Sequence, residues 1–529
     1  MAASPAETRV YLFHLPAELY RKIVSYLRND SVKNLRITCS TMNKITPFII
    51  DRVFISANSL NLQVFHAIAD SETFRYNVTE IIWDDARLSL GPEDAIEWGR
   101  LWDLGDPYEI VTDNGCHLWF KARRQDTDEP ELSAKPYPLD YDNLSVEASW
   151  DHYKGLLEDQ HQTLQSSSDI EAFKYGLTRF PNLKRVTVTP STHGNIGQPM
   201  YQTPMIRAFP SRFDYPLPRN WPFAGEDYQM DAFAWILSES DDPAETGDFD
   251  WMYQIDHEYY KNIWRGVRIV LRELAEHSHE HNVTELVVGG TEIATGLNCR
   301  LFDQPCLEYN DLVTMLKRPG FHRLDLDLFT GKSEILKWPS SRSSLIHKAL
   351  SEAKDLRHIT LRATAKFRYG EAVHPSGDEL PDHWSFPLRS VFPINCWPRL
   401  EHFGISNILV TQKRLLSFLA ALPYSTRSVE LSNLVWANED EGYHSLLNEM
   451  HTRLDWRSRP VGERPRLHIV LTSAKRTNEN GYYKDLSNLA NAFLYDNGKN
   501  PFAGRYFLFR GGVWRSFFDP EFSRSDIWP

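Results

Sequence analysis

Eight short segments share one rhythm, apolar-x-x-apolar-x-apolar. They are VTEIIW at 78–83, LKRVTV at 183–188, VTELVV at 283–288, FHRLDL at 321–326, LRHITL at 356–361 and LEHFGI at 400–405, with weaker copies at 428–434 (SVELSNL) and 466–471 (RLHIVL). The alternation inside each has a period of two and predicts a short β-strand. Ahead of several of them, apolar residues recur at steps of three and four, which lines one face of a helix. These are Ile263, Val267, Val270, Leu271 and Leu274; Leu312, Met315 and Leu316; Leu345, Ile346 and Leu350; and Leu415, Leu416 and Leu419. Each unit therefore reads as a helix turning into a strand.

The N-terminus has the helical rhythm alone. In LPAELYRKIVSYL at 15–27, Leu15, Leu19, Ile23 and Tyr26/Leu27 fall on one helix face, and Pro16 sits where a first turn tolerates it. Asn29-Asp30-Ser31 is expected to break this helix and cap a second one carrying Val32, Leu35, Thr38 and Cys39; a third short helix holds Met42 and Ile45 ahead of Pro47. Helices this small bury too little surface to be stable alone.

Taking Leu286, Leu324, Ile359, Phe403, Val429 and Leu467 as the central strand residues, successive units are 38, 35, 44, 26 and 38 residues apart. No unit can bury both faces of its own helix and strand, so neighbours are expected to stack and share one core. The predicted fold class is α/β: a small helical module at 10–55, then an irregular leucine-rich-repeat-like solenoid with a parallel sheet at 56–500. Regular leucine-rich repeats run about 20–29 residues, so these units are long. A doubly wound α/β sheet would use the same alternation, but the fuller Val/Ile runs and Gly-rich turns it favours are missing. Insertions at 99–170 and 190–258 interrupt the units. The second begins with a Pro- and aromatic-rich loop and ends in an acidic stretch, 226–258, without Lys or Arg, which reads as a solvated loop or a dock for a basic partner segment. The aromatic segment 501–529 is expected to dock as a C-terminal cap.

The length, 529 residues, exceeds that of an ordinary domain, and 42% hydrophobic with 13% aromatic residues is ample material for a core. Opposing 58 basic with 71 acidic side chains leaves −13, which argues against nucleic acid or an anionic membrane as general partners. No run approaches the ~18 uncharged apolar residues of a membrane span, and no secretory pattern opens the chain, so an intracellular location, cytoplasmic and/or nuclear, is expected. The five cysteines are scattered without a C-x-x-C pair, which suggests neither a disulfide framework nor a thiolate zinc site. Absent a secretory signal, the N-x-[ST] triplets at Asn77, Asn143 and Asn282 read as chance.

LPAELYRKIVSYL, followed by Arg36-Ile37-Thr38-Cys39, resembles the F-box, a three-helix motif opening on Leu-Pro, and residues 52–88 resemble the stretch that follows it in many filamentous-fungal F-box proteins. The resemblance covers roughly the first tenth of the chain. It implies docking on a Skp-type adaptor that bridges to a cullin–RING ubiquitin ligase, with contacts from Leu15, Pro16, Leu19, Ile23, Leu27 and Leu35. Where many F-boxes close with a Trp, this chain has Phe48. The function this implies is that of a substrate-recognition subunit whose solenoid holds a target protein; the alternative is an interaction scaffold outside a ligase.

Candidate chemistry adds little. His277 and His281 stand four apart and on a helix could share a metal, the basis of a metal-dependent hydrolase reading; a polar helix C-terminus is the ordinary explanation. Asp84-Asp85 and Asp325/Asp327 resemble paired carboxylates, and the latter two share one face of a strand. Arg323, Arg357 and Arg362, with Asp325 and Asp327, are candidate target-binding residues; with Arg185 the arginines are also candidates to read a phosphate. There is no nucleophile elbow, phosphate-cradling loop or spaced Cys/His set, so neither a catalytic centre nor a cofactor or metal is expected.

Overall fold

The computed structural model describes residues 15–27, 29–46, 48–92, 105–125, 144–194, 199–218, 221–222, 232–236, 257–289, 295–331, 338–364, 385–438, 440–472, 482–504 and 510–511. Its first twelve strands run, in chain order, β1 (Arg52–Ile55), β2 (Glu80–Asp84), β3 (Arg185–Thr189), β4 (Glu285–Val288), β5 (Leu297–Asn298), β6 (Arg323–Phe329), β7 (His358–Ala363), β8 (His402–Ser406), β9 (Leu409–Val410), β10 (Ser428–Ser432), β11 (Val435–Trp436) and β12 (Arg466–His468), and Val470–Thr472, Tyr482–Asp485 and Arg510–Gly511 form a separate antiparallel sheet. Ten of them make one parallel sheet in the order β1-β2-β3-β4-β6-β7-β8-β10-β12, with β5 pairing the far end of β6 beyond β4. Spatial order follows chain order with no reversal. The fold is mixed α/β.

The central residues expected from the rhythm pair directly: Leu286↔Leu324, Leu324↔Ile359, Ile359↔Phe403, Phe403↔Val429 and Val429↔Leu467. Because side chains alternate across a strand, that register places every apolar alternate on one face. Ile81, Val186, Leu286, Leu324, Ile359, Phe403, Val429 and Leu467 are buried in the principal core. Successive helices cover that face. Arg265–Glu276 packs on Leu307–Leu316, and the latter on Leu345–Glu352, burying Val267, Val270, Leu271, Leu274, Leu312, Met315, Ile346 and Leu350, the helical stripes expected from the sequence.

Both insertions contribute to a second core. The helices Leu118–Gln125 and Val146–Ser166 bring Trp119, Phe120, Trp150 and Tyr153 against Phe213 and Tyr215 of the Pro-rich loop. The Tyr153 hydroxyl donates to the Ser89 carbonyl at 2.9 Å, and Gln160 bonds both backbone groups of Leu88, tying this cluster to the end of β2. Met200 and Tyr201, from the same loop, cover Phe54 and Ile82 on the sheet's opposite face. Of the acidic stretch 226–258, all the acidic residues except Glu258 lie outside the described residues; Glu258 pairs with Arg268 at 2.8 Å. Of the aromatic tail, Phe502 stacks on Tyr443 at 4.9 Å, and most of the remainder lies outside the described residues.

The N-terminal module comprises α1 (Ala17–Ser25), α2 (Asn29–Thr38) and α3 (Ser40–Ile45). Asn29 opens α2 as its first residue, not as a breaker before it, and its side chain bonds both backbone groups of Ile49, closing the module. The Cys39 sulfur accepts the Met42 N–H and caps α3. Tyr20, Val24, Val32 and Met42 form a small core of their own, with Leu15, Leu27, Leu35 and Phe48 packed half-buried around it.

Candidate functional site

The third position of the six stronger strand units is polar: Glu80, Arg185, Glu285, Arg323, His358 and His402. The parallel register sets these residues side by side, continuing to Arg52 at one end and to Ser428 and Arg466 at the other. Charges alternate along the row over its first five strands. Cross-strand neighbours of opposite sign attract, whereas like charges directly opposite repel, so the order Arg, Glu, Arg, Glu, Arg makes the row self-consistent. Arg52 Nε meets Glu80 at 2.7 Å, Arg185 meets Glu285 at 2.6 Å, and Arg323 lies 3.9 Å from Glu285. His322 Nε2 stands 3.2 Å from the other Glu285 oxygen.

A second tier lies two and four residues further along the strands. Asp325, only 2% exposed, takes the Arg323 guanidinium at 2.5 Å and lies 2.8 Å from His358 Nε2. The His358 and His402 rings stack at 4.2 Å. Arg362 reaches Asp327 at 3.2 Å and Glu430 at 3.4 Å, so two carboxylates share one guanidinium. Gly289 leaves the space that Asp327 fills, since a Cβ there would fall 2.3 Å from its carboxylate.

The electrostatics follow from burial against pairing. Burial pushes the Asp325 carboxyl up, but Arg323 and His358 outweigh it and hold it well below the ordinary range. Burial likewise opposes ionisation of Glu285, yet His322 and Arg185 bring it down to about 2. With half a guanidinium each, Asp327 is raised to about 6 by burial, and Glu430 is raised for the same reason. Burial lowers His358 to about 4 and His402 well below its ordinary value, so both rings are neutral at pH 7.

Four of the five candidate target-binding residues, Arg323, Asp325, Asp327 and Arg362, are thus brought together, but each is committed to a neighbour. Arg185 is committed too, which leaves these guanidiniums engaged by carboxylates and not free for a phosphate. Arg357 stands apart: it precedes β7, is exposed, pairs with Glu401 at 3.5 Å and lines a 330 Å³ cavity with His322, Asp355 and Arg399. Sequence reasoning passed over Arg52, Glu80, Glu285, His358, His402 and Glu430. The signal was present in the shared third position of the units.

The candidate adaptor residues divide by exposure. Leu19 is 52% exposed, Ile23 40% and the neighbouring Tyr26 74%, and Pro16 is exposed; Leu15, Leu27 and Leu35 are half-buried on the module's own core. The stripe Tyr20–Val24 faces inward, while Pro16–Leu19–Ile23, displaced by one residue, faces out.

The remaining candidates do not converge. His281 is held at both ring nitrogens: Nδ1 accepts the Val283 N–H at 3.1 Å, so Nε2 carries the proton that goes to the Leu274 carbonyl at 3.1 Å. It therefore makes no ligand pair with His277, which caps the helix Arg265–Glu276. Asp84 and Asp85 take different partners. Asp85 accepts from Trp221 and the Gly266 N–H, while Asp84 accepts from Ala86 and turns Oδ2 to within 4.0 Å of His193, itself 2.8 Å from the Tyr215 hydroxyl.

Burial raises the Asp84 carboxyl to about 7. A group raised in the folded state costs nothing below its unfolded value near 4 and costs most above its folded value. Asp84→Asn should therefore gain stability over the parent chain as pH rises from 4 to 7, by up to about 1.4 kcal/mol per unit, and hold the gain above. Urea midpoints at pH 4.5 and 8 check this; an equal difference at both pH values would contradict it.

No protein-family model matches the chain, and a search of curated proteins finds no match. Among the described residues no helix is long and apolar enough to cross a membrane.

Proposed function

We propose that the chain is a substrate-recognition subunit of a Skp–cullin–F-box ubiquitin ligase. The observation that carries this reading is the outward stripe Pro16, Leu19 and Ile23 on a three-helix module that already has its own core. An isolated exposed leucine needs no explanation, but an i, i+3/i+4 apolar series beside a filled core is what a helix-docking face requires. Its place in LPAELYRKIVSYL agrees with the F-box resemblance.

Residues 56–500 would serve as an irregular leucine-rich-repeat-like solenoid that presents a target. Two observations support this over a doubly wound sheet: strand order tracks chain order without the reversal of a switch point, and one sheet face is mostly polar beyond the apolar patch at Phe54 and Ile82 while helices cover the other. The chain would do no chemistry itself. Holding a target beside a charged ubiquitin carrier raises its effective concentration, and proximity supplies the rate.

Capture of the tagged full-length chain from cells with the proteasome blocked should recover the Skp-type adaptor together with a cullin. Adaptor without cullin would point instead to a scaffold outside a ligase, and neither protein would contradict the F-box reading altogether.

A further inference from the structure

The helix Arg265–Glu276 ends in a group of side chains that the receptor role does not use. Glu273, Glu276 and His277 each bring one ligand atom to within 4.8 Å of the other two. Their i, i+3 and i+4 spacing puts all three on one side of the last turn. Glu273 is 1% exposed. Its Oε1 takes the Arg272 guanidinium at 3.1 Å, with Lys174 Nζ 4.0 Å away, but its Oε2 accepts no hydrogen bond. A buried carboxylate oxygen without a donor is costly and calls for a partner. That oxygen faces His277 Nδ1 at 3.3 Å.

We propose that Glu273, Glu276 and His277 bind a divalent first-row cation of the zinc type. Bonds of about 2.0–2.1 Å in a tetrahedral array set ligand atoms about 3.3–3.4 Å apart, the separation found between Glu273 Oε2 and His277 Nδ1. His277 Nδ1 also lies 3.2 Å from the Glu273 carbonyl. Glu276 is exposed and free to swing its carboxylate onto the same ion. Helix C-termini carry partial negative charge, and burial followed by the Glu276 and Glu308 charges raises the nearby Asp311 carboxyl; Arg272 and Lys174, at the other Glu273 oxygen, offset part of that negative charge. His277 also lines a cavity of about 580 Å³ with Glu280, Lys174 and His66, so the histidine side of the group is open to solvent.

Zn²⁺ titrated into the intact protein by calorimetry, against a competing chelator, should give one equivalent bound. Glu273→Gln, His277→Ala and the exposed Glu276→Gln should each weaken it by about tenfold or more. His279→Ala, which changes an exposed histidine outside the cluster, should leave it unchanged. Substoichiometric binding, or binding that survives both His277→Ala and Glu276→Gln, or that falls as far with His279→Ala, would overturn the assignment. Because Glu276 is exposed, its variant remains informative even where Glu273→Gln disturbs the fold.

Discussion

Asp325→Ala is expected to lower the unfolding free energy by about 3–5 kcal/mol, the range for removing one partner of a buried ion pair. Asp325 takes the Arg323 guanidinium at 2.5 Å, and Glu285 lies further off at 3.9 Å. Its loss removes one half of a buried ion pair and takes away the contact at His358 as well. The cost is therefore that of breaking a buried ion pair, not of a lost surface contact. Arg357→Ala, at an exposed pair with Glu401, should fall within about 0–1 kcal/mol. Urea denaturation of the two variants separates the cases. An Asp325→Ala chain within 1 kcal/mol of the parent would show that the polar row does not carry the energetic weight its burial implies. Replacing Arg323 and Asp325 together by Met and Leu should recover much of the loss, since a buried pair exchanged for apolar residues of similar volume is often neutral.

Leu19→Asp combined with Ile23→Asp is expected to weaken adaptor binding by more than about a hundredfold. Each apolar side chain contributes roughly 1.5–3 kcal/mol when fully buried, and about 2.7 kcal/mol already corresponds to a factor of a hundred. The module itself should survive, because both side chains are outside its core of Tyr20, Val24, Val32 and Met42; surface changes of this kind stay within about 0.5 kcal/mol. An unchanged urea midpoint beside lost binding identifies a docking face. Val24→Asp is the contrasting variant, expected to lose binding and the module's fold together.

The parallel sheet was legible because a strand's period of two is strict: choosing Leu286, Leu324, Ile359, Phe403, Val429 and Leu467 as centres sets the observed pairing. Aligning the same units would also have yielded the row Glu80, Arg185, Glu285, Arg323, His358, His402. What could not be read was the pairing within it, since whether Arg323 is free or held by Asp325 depends on contacts two residues apart on one strand face. On α1, Leu19–Ile23 and Tyr20–Val24 form adjacent stripes about 100° apart, and periodicity alone does not say which one meets the core. The aromatic cluster of Trp119, Phe120, Trp150 and Tyr153 joins segments with no shared period, so no local pattern announced it. His281 likewise reads as a ligand only until its two backbone partners are seen.

The most direct measurement of the central claim is a calorimetric titration of the purified full-length chain with a purified Skp-type adaptor. Saturable one-to-one binding by the parent chain, lost in the Leu19→Asp, Ile23→Asp chain at an unchanged urea midpoint, is the predicted result. No binding by the parent chain, or equal binding by both chains, would contradict it.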